Sequence, residues 1–214
     1  MNLTLILETQ RLRIRPFQEG DSEPFATYRS DPLVAQYQSW ETPYTLKQAT
    51  HFIESLQNSA PGTPGEWYQL AIEVKKDNIM IGDCAFCILA EDPRQAEIGF
   101  TLARSYQGLG YGTEAVGRLL QYLYEELDLH RVRANCDIDN IASVKLLERV
   151  GMRQEGCFVE SSWFKGRWSS EYWYGLLQRE WMQTHTPLPS KTPPTKKVGA
   201  SANTPTFSNP VNPV

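Results

Sequence analysis

The chain has 214 residues, 41% of them apolar, with 21 basic and 25 acidic side chains and a formal net charge of −4. That length suits one domain, or one domain with an appendage, able to bury a core without disulfide staples. Lys191, Lys196 and Lys197 are the only charged side chains from Thr186 onward, so Met1–His185 holds 18 basic against 25 acidic groups, a net of −7. An acidic body disfavours general nucleic-acid binding, suits a cationic partner such as an amine, and leaves any anionic ligand to local donors.

In chain order, Leu3–Leu7 is too short an apolar run for a signal peptide and is followed by Glu8. Arg11–Phe17 alternates basic with apolar and predicts a half-buried strand. Asp21 is placed to cap a helix that Pro32 closes. Thr45 with Gln48 has capping-box spacing, and Leu46, Ala49, Phe52, Ile53 and Leu56 form one helical face. After the break at Pro61–Gly65, the stretches Trp67–Lys76, Ile79–Ala90 and Gln95–Ala103 read as three strands. Their connections are short, which predicts an antiparallel meander.

Ser105–Val116, SYQGLGYGTEAV, then places glycines at 108, 110 and 112 directly before a helix predicted from about Thr113 to Leu127. The inward face of that helix is Val116, Leu119, Leu120, Leu123 and Leu127. His130–Ile138 is a further strand, reached through a helical crossover and therefore parallel to the one before. Asn140–Gly151 is a short helix with Ile141, Val144, Leu147 and Val150 inward and Gly151 as its stop. Arg153–Phe164 and Ser169–Gln178 form a closing hairpin around Lys165–Arg167. From Thr186 the composition turns to Pro, Ser, Thr and Asn, predicting a disordered tail over 186–214 and a folded domain over 1–185.

Cys84 and Cys87 form a lone CxxC, but residues three apart on a strand point to opposite faces, so buried free thiols are expected rather than a metal or redox pair. No second CxxC follows, the histidines are only His51, His130 and His185, and no metal is expected. No segment is long enough to cross a membrane, and the expectation is a soluble cytoplasmic protein.

The glycines permit two readings. One is a plain turn. The other is a helix N-terminus whose unpartnered N–H groups and dipole attract a phosphate that glycines let approach. The spacing is neither the dinucleotide fingerprint nor a nucleoside-triphosphate loop.

The neighbours decide between them. AEIGFTLARSYQGLGYGTEAV, followed by DIDNIASVKLLERVGMRQEG, resembles the GNAT superfamily of N-acetyltransferases, in the branch of the ribosomal-protein acetyltransferases RimJ and RimL. The resemblance runs from LETQRLRIRPF to YWYGLLQREW. It implies an α/β (α+β) fold: a mixed, mostly antiparallel sheet splayed at the CoA site, with helices on both faces. It implies acetyl-CoA as cosubstrate, no metal, and an amine acceptor. That acceptor is a protein N-terminal α-amine or, alternatively, a small amine such as a polyamine, amino acid or aminoglycoside. A non-catalytic CoA sensor is the rival from another class, and a homodimer is possible.

Residue by residue, the resemblance makes Gln107, Gly108, Leu109, Gly110, Tyr111 and Gly112 the pyrophosphate loop and Thr113 the first helical residue. Phe100, Thr101 and Leu102 lie beside the pantetheine arm, with a backbone N–H there able to polarise the thioester carbonyl. Asn140 is a good N-cap on its own. The resemblance also turns Asn140 and Ser143 toward the arm, with the Ser143 hydroxyl protonating the leaving thiolate. Glu160 and Glu97 are the candidate general bases, each also readable as a solvated strand carboxylate. Trp40 and Tyr44 are the acceptor-side candidates. Cys136 and Cys157 have no histidine near them in sequence, and direct transfer is expected over a covalent acyl-enzyme.

Overall fold

A computed structural model describes residues 5–57 and 59–185 of the chain. The expected tail lies outside the described residues. Among the described residues eight strands form one sheet: β1 (Leu7–Glu8), β2 (Leu12–Arg15), β3 (Trp67–Val74), β4 (Ile79–Ile88), β5 (Gln95–Leu102), β6 (Arg131–Asp137), β7 (Arg153–Phe164) and β8 (Arg167–Leu177). Their order is β1-β2-β3-β4-β5-β6-β8-β7. Every pairing is antiparallel except β5 with β6, which the helical crossover makes parallel.

The helices are α1 (Ser22–Arg29), α2 (Pro32–Ala35), α3 (Leu46–Ser55), α4 (Tyr111–Gln121), α5 (Ile141–Arg149) and α6 (Gln178–His185). Val116, Leu119, Leu120 and Leu123 are fully buried, as their spacing predicts, and pack on Leu12, Phe86 and Val132 in the main core. A second, smaller core under α1 and α3 holds Phe17, Phe25, Ala49 and Ile53 on the other face of the sheet. Thr45 and Gln48 form the reciprocal capping box at the start of α3.

Four local expectations change. The glycine-led helix begins at Tyr111 rather than Thr113, and its last turn, Tyr122–Glu126, widens to π-helical form. Asp21 does not cap α1; its carboxylate takes Arg15 Nη1 at 2.7 Å and Nη2 at 2.9 Å. The buried bidentate guanidinium and the Gln18 N–H, 2.7 Å from Oδ2, together occupy that carboxylate. Ile141 is exposed rather than inward, because α5 rests on its Leu147 and Val150 side. β1 adds an edge strand that the sequence reading lacked.

The central irregularity lies between β5 and β6. They pair only at Gln95↔Arg131, Ala96↔Val132 and Glu97↔Arg133. Beyond that point β5 runs on to Leu102 along β4, while β6 runs on to Asp137 along β8. The two strands therefore part, and each leaves one edge without a neighbour. The loop before α4 and the start of α5 stand over this gap.

Candidate active site

Two clefts meet at the parting strands. The larger, of about 930 Å³, is lined by Phe100, Thr101 and Leu102 of β5, by Gln107, Gly108, Gly110, Gly112 and Thr113, and by the start of α5 from Asn140 to Leu146. The smaller, of about 460 Å³, is lined by Trp67, Glu97, Ile98 and Gly99 on one side and by Asn135, Cys136, Asp137, Phe164, Ser169 and Glu171 on the other. Tyr37, Gln38, Phe100, Asn140 and Ser143 line both. These five stand at the junction.

The larger cleft is shaped by its glycines. Gly108 has φ +74° and Gly110 φ +82°, conformations that favour glycine. Gly110 is the N-cap of α4 and supplies no capping side chain. The first N–H groups of the helix are therefore left to the cleft. Gly112 is needed for a different reason: a Cβ there would stand 2.6 Å from Leu146 Cδ1 and 3.3 Å from Leu102 Cδ1. Gln107 Nε2 donates to the Leu102 carbonyl at 2.9 Å, folding the loop back on the end of β5.

Leu109 and Tyr111 are placed differently. The Leu109 carbonyl accepts from Arg11 Nη1 at 3.1 Å, and the Arg11 guanidinium lies 4.3 Å from the centre of the Tyr111 ring. Neither residue lines the larger cleft. Glu114 anchors the first turn of α4 by accepting from Thr9 Oγ1 at 2.6 Å, Arg11 N at 2.9 Å and Arg11 Nε at 2.6 Å. Its burial alone would raise its pKa, but those donors hold it below the ordinary carboxylate range.

Asn140 caps α5: its Oδ1 accepts from Ser143 N at 3.2 Å. The Ser143 hydroxyl has no hydrogen-bond partner among the described residues and lines both clefts. Gln107, Gly108, Gly110, Gly112, Thr113, Asn140 and Ser143, far apart in sequence, are thus brought to one cleft.

The expected acceptor-side residues are redistributed. Trp40 and Tyr44 line neither cleft. They turn inward around Arg29, whose guanidinium lies 3.9 Å from the Trp40 ring centre, 5.2 Å from Tyr44 and 4.0 Å from Phe25. A buried cation among aromatic faces holds them there. Residues of the same segment that do face the clefts are Leu33, Val34, Tyr37 and Gln38, with the Tyr37 hydroxyl donating to the Asp139 carbonyl at 3.1 Å. No motif marks them, because a loop's facing depends on what its neighbours anchor.

Of the two candidate bases, Glu97 lines the smaller cleft and pairs with Arg133 Nε at 2.9 Å. Glu160 is exposed, adopts φ +46° in the bulged part of β7, and lines neither cleft. Glu171, which sequence reasoning passed over, lines the smaller cleft. No motif marks it; the β6–β8 register sets it opposite Asp137.

Cys136 faces this cleft, but burial, followed by the charges of Asp137 and Glu171, pushes its thiol up to about 11. A thiol held protonated there is a poor nucleophile. Cys84 and Cys87 are buried free thiols, and burial raises both. Among the described residues there is no cluster of metal-ligating side chains and no helix long and apolar enough to cross a membrane.

The acetyltransferase (GNAT) domain model matches residues 11–153. The N-acetyltransferase p20 of Bacillus licheniformis, itself uncharacterized, is 33% identical over 176 residues, covering 82% of this chain and 97% of that protein. The spermidine N(1)-acetyltransferase of Vibrio cholerae is 24% identical over 173 residues, covering 80% and 96%. Among solved structures, a GNAT acetyltransferase from Bacillus anthracis superposes with a TM-score of 0.73 at 29% identity, over 82% of this chain and 99% of that one. Mycobacterium smegmatis RimJ in complex with CoA-disulfide superposes with a TM-score of 0.68 at 21% identity, over 83% and 88%. With the parted parallel strands, the uncapped glycine-led helix and a sheet in the expected order, these findings agree: the chain belongs to the GNAT acetyltransferase family, enzymes that transfer an acetyl group from acetyl-CoA to an amino group.

Proposed function

We propose that this chain acetylates protein N-terminal α-amines by direct transfer, with acetyl-CoA in the larger cleft and the acceptor in the smaller. The observation that carries this reading is the junction: two clefts meet at the parted strands and share Ser143, Asn140 and Phe100. Thioester and amine can therefore meet without a covalent acyl-enzyme, and the raised Cys136 thiol agrees.

The larger cleft fits CoA by its donors. The amides at Gly110–Thr113, uncapped at Gly110, suit a pyrophosphate, with Gln107 and Gly108 shaping the approach. The β5 edge at Phe100–Leu102, left free by β6, suits a strand-like arm, and an N–H there would polarise the carbonyl of the acetyl group. Ser143 would deliver its hydroxyl proton toward the sulfur. Acetyl-CoA supplies an activated acyl carbon; the protein positions the amine and moves its protons.

The smaller cleft lies along the free edge of β6 from Ala134 to Asp137, and Trp67 and Phe164 give it apolar walls. An extended peptide end can follow such an edge with its side chains against the walls. Phe164, Ser169 and Glu171 come from β7 and β8, beyond the matched span, so we take residues 1–185 as the catalytic unit. The test is release of free CoA thiol over a panel of N-terminal peptides and small amines, with mass spectrometry locating the acetyl group. Acetylation at peptide α-nitrogens supports the reading; turnover confined to small amines replaces the acceptor, and CoA binding with no turnover on any amine replaces the enzyme.

A further inference from the structure

Among the described residues, three carboxylates line the smaller cleft and no lysine or arginine does. Two are already neutralised from behind. Glu97 pairs with Arg133 at 2.9 Å. Asp137 pairs with Arg167 Nη2 at 3.1 Å and accepts from Ser169 Oγ. Arg167 also reaches Asp139 at the rim, at 3.2 Å. Glu171 differs: it makes no ion pair among the described residues, and its one donor is the neutral amide of Asn135 at 3.4 Å. A half-buried carboxylate with so little compensation creates a local demand for one cation.

We infer that Glu171 is the carboxylate that receives the acceptor's ammonium, and that it selects acceptors presenting one positive charge over polycations. This rests on the direct-transfer reading above and names the acid within it. An amine entering as its ammonium meets one unpaired negative charge. A second or third ammonium on the same ligand would face Glu97 and Asp137, whose charges are already taken by guanidinium groups. The chemical balance then closes within the cleft. The amine nitrogen gives one proton to Glu171, directly or through a water, and forms the C–N bond to the acetyl carbon as the C–S bond breaks. Its second proton replaces the one that the Ser143 hydroxyl gives to the departing sulfur, and the third stays on the amide nitrogen. Glu171 sits one strand from Cys136, where its negative charge, after burial and Asp137, holds that thiol protonated.

The experiment compares wild type with Glu171→Gln, Glu171→Asp and Glu160→Gln. Acceptor binding is read calorimetrically without CoA, using a serine-initiated hexapeptide, butylamine and spermidine as probes, alongside steady-state kinetics and CoA affinity. The expected result is an acceptor affinity and KM about 10-fold or more weaker in Glu171→Gln, in line with loss of a charge-assisted hydrogen bond. Glu171→Asp should recover part of it, Glu160→Gln should match wild type, and CoA affinity should be common to all four. Spermidine should bind wild type no more tightly than butylamine beyond statistical factors. Wild-type behaviour of Glu171→Gln, or a preference of about 10-fold or more for spermidine over butylamine, overturns the inference. Failure of the direct-transfer reading has its own signatures: no CoA binding, no thiol release with any amine, or thiol release with an acetylated protein before any amine is added.

Discussion

Ser143 separates two roles by atom. Its backbone N–H serves the Asn140 cap, while its hydroxyl is left to the junction of the clefts. Ser143→Ala keeps the cap and removes only the hydroxyl. Turnover should fall about 100-fold, the lower end for a lost general acid, with CoA affinity unchanged in equilibrium binding; an unchanged kcat would assign Ser143 to capping alone. Glu114 offers a prediction with a pH sign. Its folded pKa lies below the ordinary 4.5, so its contribution is present above that value and lost as pH falls through the folded one. Glu114→Gln should melt below wild type at neutral pH, and the two melting temperatures should converge as pH drops below about 4.5. A gap that ignores pH would leave only shape, not charge, at that position.

At the scale of elements, the β7–β8 hairpin does more than close the sheet. Lys165 (φ +47°) and Gly166 (φ +81°) make its two-residue turn, and both φ values suit the tight turns that match strand twist. That turn aims Lys165 Nζ at the Ala35 carbonyl, 2.8 Å away, and the Trp40 carbonyl, 2.7 Å away. The hairpin tip thus holds the α2–α3 loop, from which Tyr37 and Gln38 reach the junction. Lys165→Met keeps the apolar stem and removes the donors. Acceptor KM should rise about 3- to 10-fold while CoA affinity stays constant, consistent with losing two charge-assisted hydrogen bonds on an adaptable loop; equal losses for both ligands would point to general loosening instead. Bulges explain why the facing of this hairpin was hard to read. β7 shifts register between Gln154 and Gly156 and again between Phe158 and Ser162. Each extra residue breaks the two-residue alternation, so Glu160 does not follow the side that simple counting assigns.

Over the whole molecule, the parting of β5 and β6 makes the two clefts, and a ligand bound there should report on them as a unit. A ligand bound only by the folded state stabilises it by about 2.7 kcal/mol at 100 times its Kd, worth roughly 5–10 °C for a domain of this size. CoA should raise the melting temperature of wild type by that much. Gly110→Glu should lower the melting temperature of the free protein modestly, since φ +82° strains any side chain, and should abolish the CoA shift. A retained shift would remove the phosphate from the α4 N-terminus.

The elements themselves were legible because they rest on local physics. The 3.6-residue spacing of Val116, Leu119, Leu120 and Leu123 defines a buried face whatever surrounds it, and Thr45 with Gln48 closes a cap over three residues. Short links and one helical crossover likewise decided which strands run antiparallel and which parallel. The glycines and Asn140 marked the larger cleft because uncapped and capped helix starts are also local features. The other candidates were different. Trp40 and Tyr44 turn inward because Arg29, on another helix, offers them a buried cation. Glu171 stands apart from Glu97 and Asp137 only because Arg133 and Arg167 reach those two and not it. Sequence alone determined the scaffold and the glycine loop before α4, whose causes lie within a few residues. Only the tertiary structure decided which aromatics and which carboxylates line the two clefts, because facing and charge compensation are set by partners far away along the chain.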